Sequence, residues 1–430
     1  MLRQIVRPMQ RRGSITVGSD LMSFRTPSGS DEKASANGAG GASATNVGSS
    51  ARPLFAAEPQ KWDVDFSLAL FNRTGKFHIG KLLLEHCGGL VDKVRYWRVP
   101  LRRPPRKPLA RIIRWLGARE HSWVLRGGHV PPRRRTRPMV HLDPHTVLSD
   151  LSPEDIVLCH DIGPITHPHL FPKRAVSGYK LALARIAEVR PNLVFVSEAS
   201  RRVFIEHYGE GRLMKVIYPP LRLGAGERWD EAAAPADVER PFLLTVGSIG
   251  DRKNQRLAIE AFRRSGLAER GFEYVLCGPR EPGYEGVAEA AASCPGVRMR
   301  SFVSETELRW LYREARAFVL PSLLEGFGMP VAEAMQHGLV PIVSRDTVLE
   351  EVAGKICLPV DPLDPDDIAA AMVRAVDMER LSSKTIARQL GKFTEAAFVT
   401  AWRDLLAAPR PSMRASEAGA GSRSAVPAAW

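Results

Sequence analysis

Two glutamates, Glu325 and Glu333, flank the run Gly326-Phe327-Gly328-Met329-Pro330 in a Glu-x7-Glu arrangement. An apolar stretch (317–322) precedes them and a helical pattern (329–337) follows. This spacing predicts a strand, a glycine-bearing loop and a helix, with Pro330 suited to the first helical turn. Loop amides and the helix dipole would then point at an anion or at sugar hydroxyls. Gly326 and Gly328 permit a tight backbone path and close ligand approach. Taken singly, Glu325 is a turn residue and Glu333 a solvated helix residue. Together in this setting they read as two hydroxyl acceptors facing one crevice.

A second cluster lies upstream, Gly247-Ser248-Ile249-Gly250-Asp251-Arg252-Lys253-Asn254. It follows an apolar stretch (242–247) and opens a helical one (254–266), with Asn254 placed near the cap. Arg252 and Lys253 at a helix start oppose its dipole and call for an anion nearby. A diphosphate would satisfy them, and neutralising its charge as it leaves stabilises a transition state. The plain alternative is a pair of exposed surface cations.

The Glu325-x7-Glu333 segment with Gly-Phe-Gly-Met-Pro between resembles the signature of the retaining GT-4 family of GT-B glycosyltransferases. The resemblance implies that Glu325 approaches the donor sugar and Glu333 binds the nucleotide ribose. It also implies that the Gly328, Met329 and Pro330 backbone meets sugar and phosphate. The stretch from Gly247 to Asn254 resembles the family's phosphate-binding loop, with Lys253 on its lysine. Many members carry arginine directly after the glycine, where this chain has Ser248; Arg252 is the candidate for the second charge. Gly278, in Leu276-Cys277-Gly278-Pro279, resembles the nucleotide-side loop, and Phe302-Val303-Ser304 the segment whose backbone holds the base. Cys159-His160-Asp161 resembles the His-Asp of mannosyltransferase-like members, in which the histidine approaches the donor sugar. A histidine at a strand end is also often a structural residue. The loop 73–81, with Gly75, Lys76 and Lys81, loosely matches the family's glycine-rich loop over phosphates or acceptor. It is not a Gly-x4-Gly-Lys-Ser/Thr phosphate loop.

These residues need strands and helices to hold them. Apolar runs at 65–71, 155–160 and 192–197, with a helical pattern at 179–189, predict a first α/β domain over 61–220. A proline- and glycine-bearing linker occupies 221–240. Strand patterns at 242–247, 273–278, 297–303, 317–322, 340–344 and 356–360 alternate with helical ones and predict a second, doubly wound domain over 241–392. Such sheets bind ligands at the carboxyl ends of their strands. A helix over 393–408 resembles the one that crosses back to the first domain. The expected architecture is therefore GT-B, two Rossmann-like domains facing a central cleft. A basic, low-complexity leader (1–60) and a tail (409–430) lack the apolar content to order themselves.

Composition narrows the function. No run approaches the ~18–20 apolar residues of a membrane-spanning helix. Five scattered cysteines without a Cys-x-x-Cys pair argue against a disulfide framework and a structural zinc site. Asp63-x-Asp65 matches a metal-binding pattern of other glycosyltransferases, but its place at the first strand's entry makes it structural. His167 and His169 read as loop residues, and a phosphate site built on two cations needs no bound metal. The net charge of +14 concentrates in a basic insertion, 95–137, where Trp97, Trp115 and Trp123 stand among arginines. Such a segment suits an anionic membrane surface or a phosphate-bearing lipid, nucleic acid, or a solvated surface with no ligand.

The sequence thus predicts an enzyme of the cytoplasm, peripheral to the membrane. It transfers a hexose, mannose favoured, from a GDP- or UDP-linked donor to a saccharide or lipid-linked acceptor. A nucleic-acid-binding protein on an inactive GT-B scaffold is one rival, and it leaves the paired motifs unexplained. A sugar-nucleotide epimerase or phosphorylase on the same fold is the other.

Overall fold

The computed structural model describes residues 60–408, except 72–74, 133–134, 148–149, 222–231, 236 and 239–240. Nearly all of the leader, the whole tail and most of the linker therefore lie outside the described residues.

Two sheets organise the chain. The first contains β1 (Trp62–Asp65), β2 (Val91–Tyr96), β3 (Val99–Pro100), β4 (Met139–His141), β5 (Ile156–Cys159), β6 (Asn192–Phe195) and β7 (Met214–Val216). Its order is β3-β2-β1-β4-β5-β6-β7, parallel throughout except for the β2–β3 hairpin at one edge. The second contains β8 (Phe242–Val246), β9 (Glu273–Cys277), β10 (Val297–Arg300), β11 (Ala317–Leu320), β12 (Pro341–Ser344) and β13 (Leu358–Val360). Its order is β10-β9-β8-β11-β12-β13, all parallel. Helices cover both faces, so central strands such as β11 are buried along their whole length and read as unbroken apolar runs. Strand order reverses between β8 and β11, which opens a crevice at their carboxyl ends. Both charged motifs follow these two strands.

Several elements differ from the sequence expectation. The first strand ends at Asp65, and Ser67–Leu70 forms a 3-10 turn because the Asp65 carboxylate accepts from the Ser67 amide at 2.9 Å. The 73–81 stretch is not a loop: its described part is the start of a helix, Gly75–Cys87. The basic insertion is not a solvated appendage. Arg95 lies in β2 and pairs with buried Asp63 at 2.8 Å, while Arg135 reaches Asp155 at 2.5 Å and Asp150 at 3.2 Å. Between them Lys107–Val124 forms a helix of 18 residues. Arg133 and Arg134 lie outside the described residues.

Two of the contacts that tie the domains run through helices. The helix Glu395–Ala407 packs on Gly75–Cys87, where the Trp62 indole donates to the Leu406 carbonyl at 3.0 Å and Trp402 is fully buried. Arg403 adds a bond to the His86 carbonyl at 2.9 Å. Elsewhere Glu351, on the helix Val348–Ala353, accepts from the amides of Glu198 and Ala199, each at 2.8 Å. It thereby caps the helix Glu198–Tyr208 of the other domain and offsets its dipole. Emptying the Trp402 pocket with Trp402→Ala is expected to cost about 3–5 kcal/mol in equilibrium denaturant unfolding. A loss under about 1 kcal/mol would mean that this helix does not hold the first domain in place.

Candidate active site

Lys253 sits where a short 3-10 turn, Asp251–Lys253, leads from β8 into the helix Gln255–Arg264. It is only 5% exposed, and its ammonium pairs with Glu325 on the loop after β11. Arg252 Nη1 lies 3.5 Å from the other oxygen of Glu325 and donates to the Leu324 carbonyl at 3.1 Å. Its Nε donates to Glu281 at 2.8 Å. Ser322 donates to Glu325 at 3.0 Å, and the Ser248 hydroxyl donates to Glu281. The two cations therefore already have anions, in the form of two carboxylates from two other loops. The expected anion beside these two charges is thus present, as carboxylates of the fold. Burial alone would raise the Glu281 carboxyl, but hydrogen bonds from Arg252 and Ser248 hold it below the usual range.

Glu281 was not legible as a site residue. Its signal is local: it follows Gly278-Pro279, and it answers the Ser248 that replaces the family's usual arginine. Asn254 also departs from expectation. It adopts a left-handed backbone (φ 59°), and its amide makes no cap. It donates instead to the carbonyls of Pro321 at 3.1 Å and Pro362 at 2.6 Å, which ties the loops after β11 and β13 to the phosphate-type loop.

Backbone geometry explains the glycines. Gly278 would place a Cβ 1.9 Å from the Gly247 carbonyl, so the loops after β8 and β9 touch only because Gly278 lacks a side chain. Gly328, with φ 94°, caps the helix Met329–Gln336, and a Cβ there would lie 2.4 Å from the Leu349 side chain. Pro330 occupies the first helical turn, as its fixed φ allows. Glu333 is buried one turn further on and accepts from the Tyr312 hydroxyl at 2.9 Å. Val303 precedes Ser304, whose side chain and Glu307 form a capping box for the helix Glu305–Glu314; neighbouring Phe302 is 84% exposed.

From the first domain, His160 follows β5 and lies directly across from the Glu325 loop. A Cβ on Gly326 would stand 3.1 Å from the His160 carbonyl, and one on Gly163 would stand 2.2 Å from Leu324. Ser197 donates to the Gly326 carbonyl at 3.2 Å and Ser200 to that of His160 at 3.0 Å. Burial, then the nearby Lys76 charge, pushes the His160 ring down to about 4. Its Nε2–H donates to the Leu142 carbonyl at 3.1 Å, which leaves Nδ1 as an acceptor. Lys76 does not close over a ligand: it bonds Asp143 at 2.7 Å and Tyr179 at 3.1 Å. Gly75 starts the same helix, with open space where its Cβ would be. Among the described residues no cluster of three or more His, Cys, Asp or Glu side chains could hold a metal ion.

Residues 228–390 match the family described as "Glycosyl transferases group 1". The chain is 26% identical over 376 residues to the O-antigen chain mannosyltransferase B of Escherichia coli, covering 79% of this chain and 94% of that one. It is 31% identical over 143 residues to the GDP-mannose:cellobiosyl-diphosphopolyprenol alpha-mannosyltransferase of Komagataeibacter xylinus, covering 31% of this chain and 36% of that one. A solved structure of Anabaena HepE in complex with UDP and glucose is 14% identical, with a TM-score of 0.49 over 81% of this chain and 98% of its own. The family match and the mannosyltransferase relatives support a group 1 glycosyltransferase, and the chain has the GT-B architecture of two Rossmann-like domains. It is an enzyme of the hexosyltransferase class.

Two outcomes are expected. Lys253→Met strips the main partner from Glu325 and should destabilise the fold by about 3–5 kcal/mol, whereas adding Glu325→Gln should restore part of that loss; denaturant unfolding of both variants reads this. His160 stays neutral in the folded chain down to about pH 4, while its unfolded form binds a proton below 6.5. The unfolded state therefore holds more protons in that window, and stability should fall as pH drops from 6.5 toward 4. A His160→Asn variant should show a shallower decline in thermal unfolding temperature, and an unchanged slope would contradict the assignment.

Proposed function

We propose that this enzyme transfers mannose from GDP-mannose, with retention at the anomeric carbon, to a saccharide carried on a lipid diphosphate. The observation that supports it best is the buried ion cluster at the switch point. Arg252 and Lys253 are held by carboxylates that can exchange for phosphate oxygens. On donor entry the two cations would turn to the diphosphate, and Glu325, released from Lys253, would accept from the sugar hydroxyls. Glu333 would accept from the ribose, with the Gly328, Met329 and Pro330 backbone around sugar and phosphate. Gly247, Gly278 and Val303 would border the nucleotide by main chain, and Gly75 would face the ligand from the first domain. His160, neutral and with Nδ1 as acceptor, would take a hydrogen bond from the sugar on that side.

As the glycosidic bond to the leaving diphosphate breaks, Arg252 and Lys253 would carry its growing charge, which two fixed cations do without reorganising. No bound metal is then required for that step. In this reading Glu325 and Glu333 are taken up by sugar and ribose hydroxyls, and Asp161 holds the Gly163 amide at 2.9 Å. That favours attack by the acceptor hydroxyl on the face the diphosphate leaves, without a covalent intermediate. Closing the domains over the donor would keep water from hydrolysing it.

The names of relatives support this donor: one is named for GDP-mannose and several are named mannosyltransferases. The same Komagataeibacter relative is named for an acceptor on diphosphopolyprenol. A lipid-linked acceptor fits the cationic segment 95–137, which would place the enzyme at the cytoplasmic face of a membrane. Among the described residues no helix is long and apolar enough to cross a membrane.

Calorimetric titration with GDP, UDP and ADP, and with their common sugars, tests this reading. GDP and GDP-mannose should bind most tightly, and Lys253→Ala or Glu333→Ala should each weaken binding by about 1.5–3 kcal/mol. Preference for another nucleotide would change the donor, and no binding by any would remove the donor site.

A further inference from the structure

The helix Lys107–Val124 is built the wrong way round for a surface helix. Its inward side is narrow: Ile113 is buried, and Gly117 fits against the Trp97 ring at a Cβ distance of 3.4 Å. Its outward arc is mainly apolar, with Arg119 set among the apolar residues over the Trp115 ring at 5.0 Å. At 100° per residue Leu109, Ile112, Trp115, Leu116 and Trp123 fall within one third of the helical circumference. All five are open to solvent, with Ile112 55%, Trp115 57% and Trp123 54% exposed. They make up half of the ten exposed large hydrophobic side chains among the described residues. An exposed apolar patch of this concentration marks an interaction surface.

The charges around the arc say what kind. Arg102, Arg103, Arg106, Lys107, Arg111, Arg114, Arg119 and Arg126 are all exposed. The one acid of the helix, Glu120, is already paired with Arg98 at 2.6 Å. Beside the arc's carboxyl-terminal half lies an open cavity of about 660 Å³, bordered by Trp115, Arg119, Trp123, Arg126 and Arg174. A helix with tryptophans and aliphatics on one arc and arginines along its flanks matches a bilayer interface: rings at the headgroup boundary, guanidinium groups on lipid phosphates. A protein partner for so basic a rim would need a matching acidic surface, and a second copy of this chain would bring eight like charges against eight.

We infer that this helix lies flat in the interface of an anionic lipid bilayer, with Ile112, Trp115 and their neighbours inserted below the headgroups. The inference rests on the lipid-linked acceptor reading but changes its physics. Adsorption through charge alone is lost in salt; insertion of an apolar arc is not. The cavity beside the arc then faces the headgroups and suits their phosphates.

The full chain is tested by co-sedimentation with vesicles of phosphatidylcholine alone and of phosphatidylcholine with phosphatidylglycerol. The native chain is expected to bind the mixed vesicles, to keep part of that binding at high salt, and to show blue-shifted tryptophan emission. An Ile112→Ser, Trp115→Ser variant, checked for an unchanged unfolding transition, should lose binding roughly tenfold or more. An Arg111→Gln, Arg114→Gln variant should lose the preference for the anionic lipid and keep salt-resistant binding. Native binding that vanishes in salt, or an apolar variant that binds like the native chain, overturns insertion. A native chain that ignores vesicles and dimerises through Ile112 and Trp115 overturns it too. GDP titration of the same variants separates the two proposals: intact donor binding with failed insertion sinks only this one, and insertion without donor binding sinks only the donor site.

Discussion

A carboxylate and an ammonium taken out of water together cannot be separated without leaving one of them charged in a poor solvent. Lys253 and Glu325 are such a pair, with side chains 7% and 8% exposed. Much of the second domain is arranged so that they can meet. The loops after β8 and β11 must end in register, which the reversal of strand order between those strands provides. Asn254 fastens the loop after β8 to those after β11 and β13 through two carbonyls, and Arg252 sits between Glu325 and Glu281 as a second counterion. The cluster is neutral as a whole, two cations against two carboxylates. A diphosphate could enter such a site only by taking over the cations, which frees Glu325 for another partner. Counterion exchange of this kind makes one cluster serve both to hold the empty loops and to bind the donor.

The second domain was legible because its central strands β8, β9, β11 and β12 are buried on both faces, and the loops after β8 and β11 carry unusual residues. The segment from Glu325 to Glu333 announces a strand, turn and helix by its own composition, and the structure places them so. Distances were not legible. Nothing in the sequence says that Glu281 lies beside Arg252, because that contact spans 29 residues and two loops. Charge at a helix start therefore pointed to a missing phosphate where the fold had supplied a carboxylate.

The first domain was harder for physical reasons. β4 and β7 have three residues each, too few for a periodic signal, and β4 is recognisable only by its neighbours. The helix Lys107–Val124 hid behind its own inversion. Reading for helices looks for an apolar face turned inward and a charged face outward, and here the exposed side carries the apolar arc. Its arginines then looked like a solvated insertion. Arg95, Arg135 and Arg137 also look like part of the basic run, yet they are paired with Asp63, Asp155 and Asp92.

That helix is continuous with the acceptor side of the crevice. Arg174, at the start of Lys173–Val189, donates to Ser122 on it and to the Ala118 carbonyl at 3.3 Å. One turn later Gly178 leaves room for two imidazoles, His121 of the surface helix and His145, with ring centroids 4.3 Å apart and planes tilted by 30°. His145 packs on Tyr179, which shares Asp143 with Lys76, and Asp143 and Lys76 are the charges that act most directly on His160. Burial pushes His121 down to about 4 and lowers His145, helped in both cases by Arg174. Both rings therefore stay uncharged near neutral pH, which suits a tilted ring pair near Arg174 and Lys76. A surface helix carrying many cations is thus joined to the crevice through aromatic contacts and one neutral network, so its charge is spent outward and the floor beneath His160 is left without an excess of it.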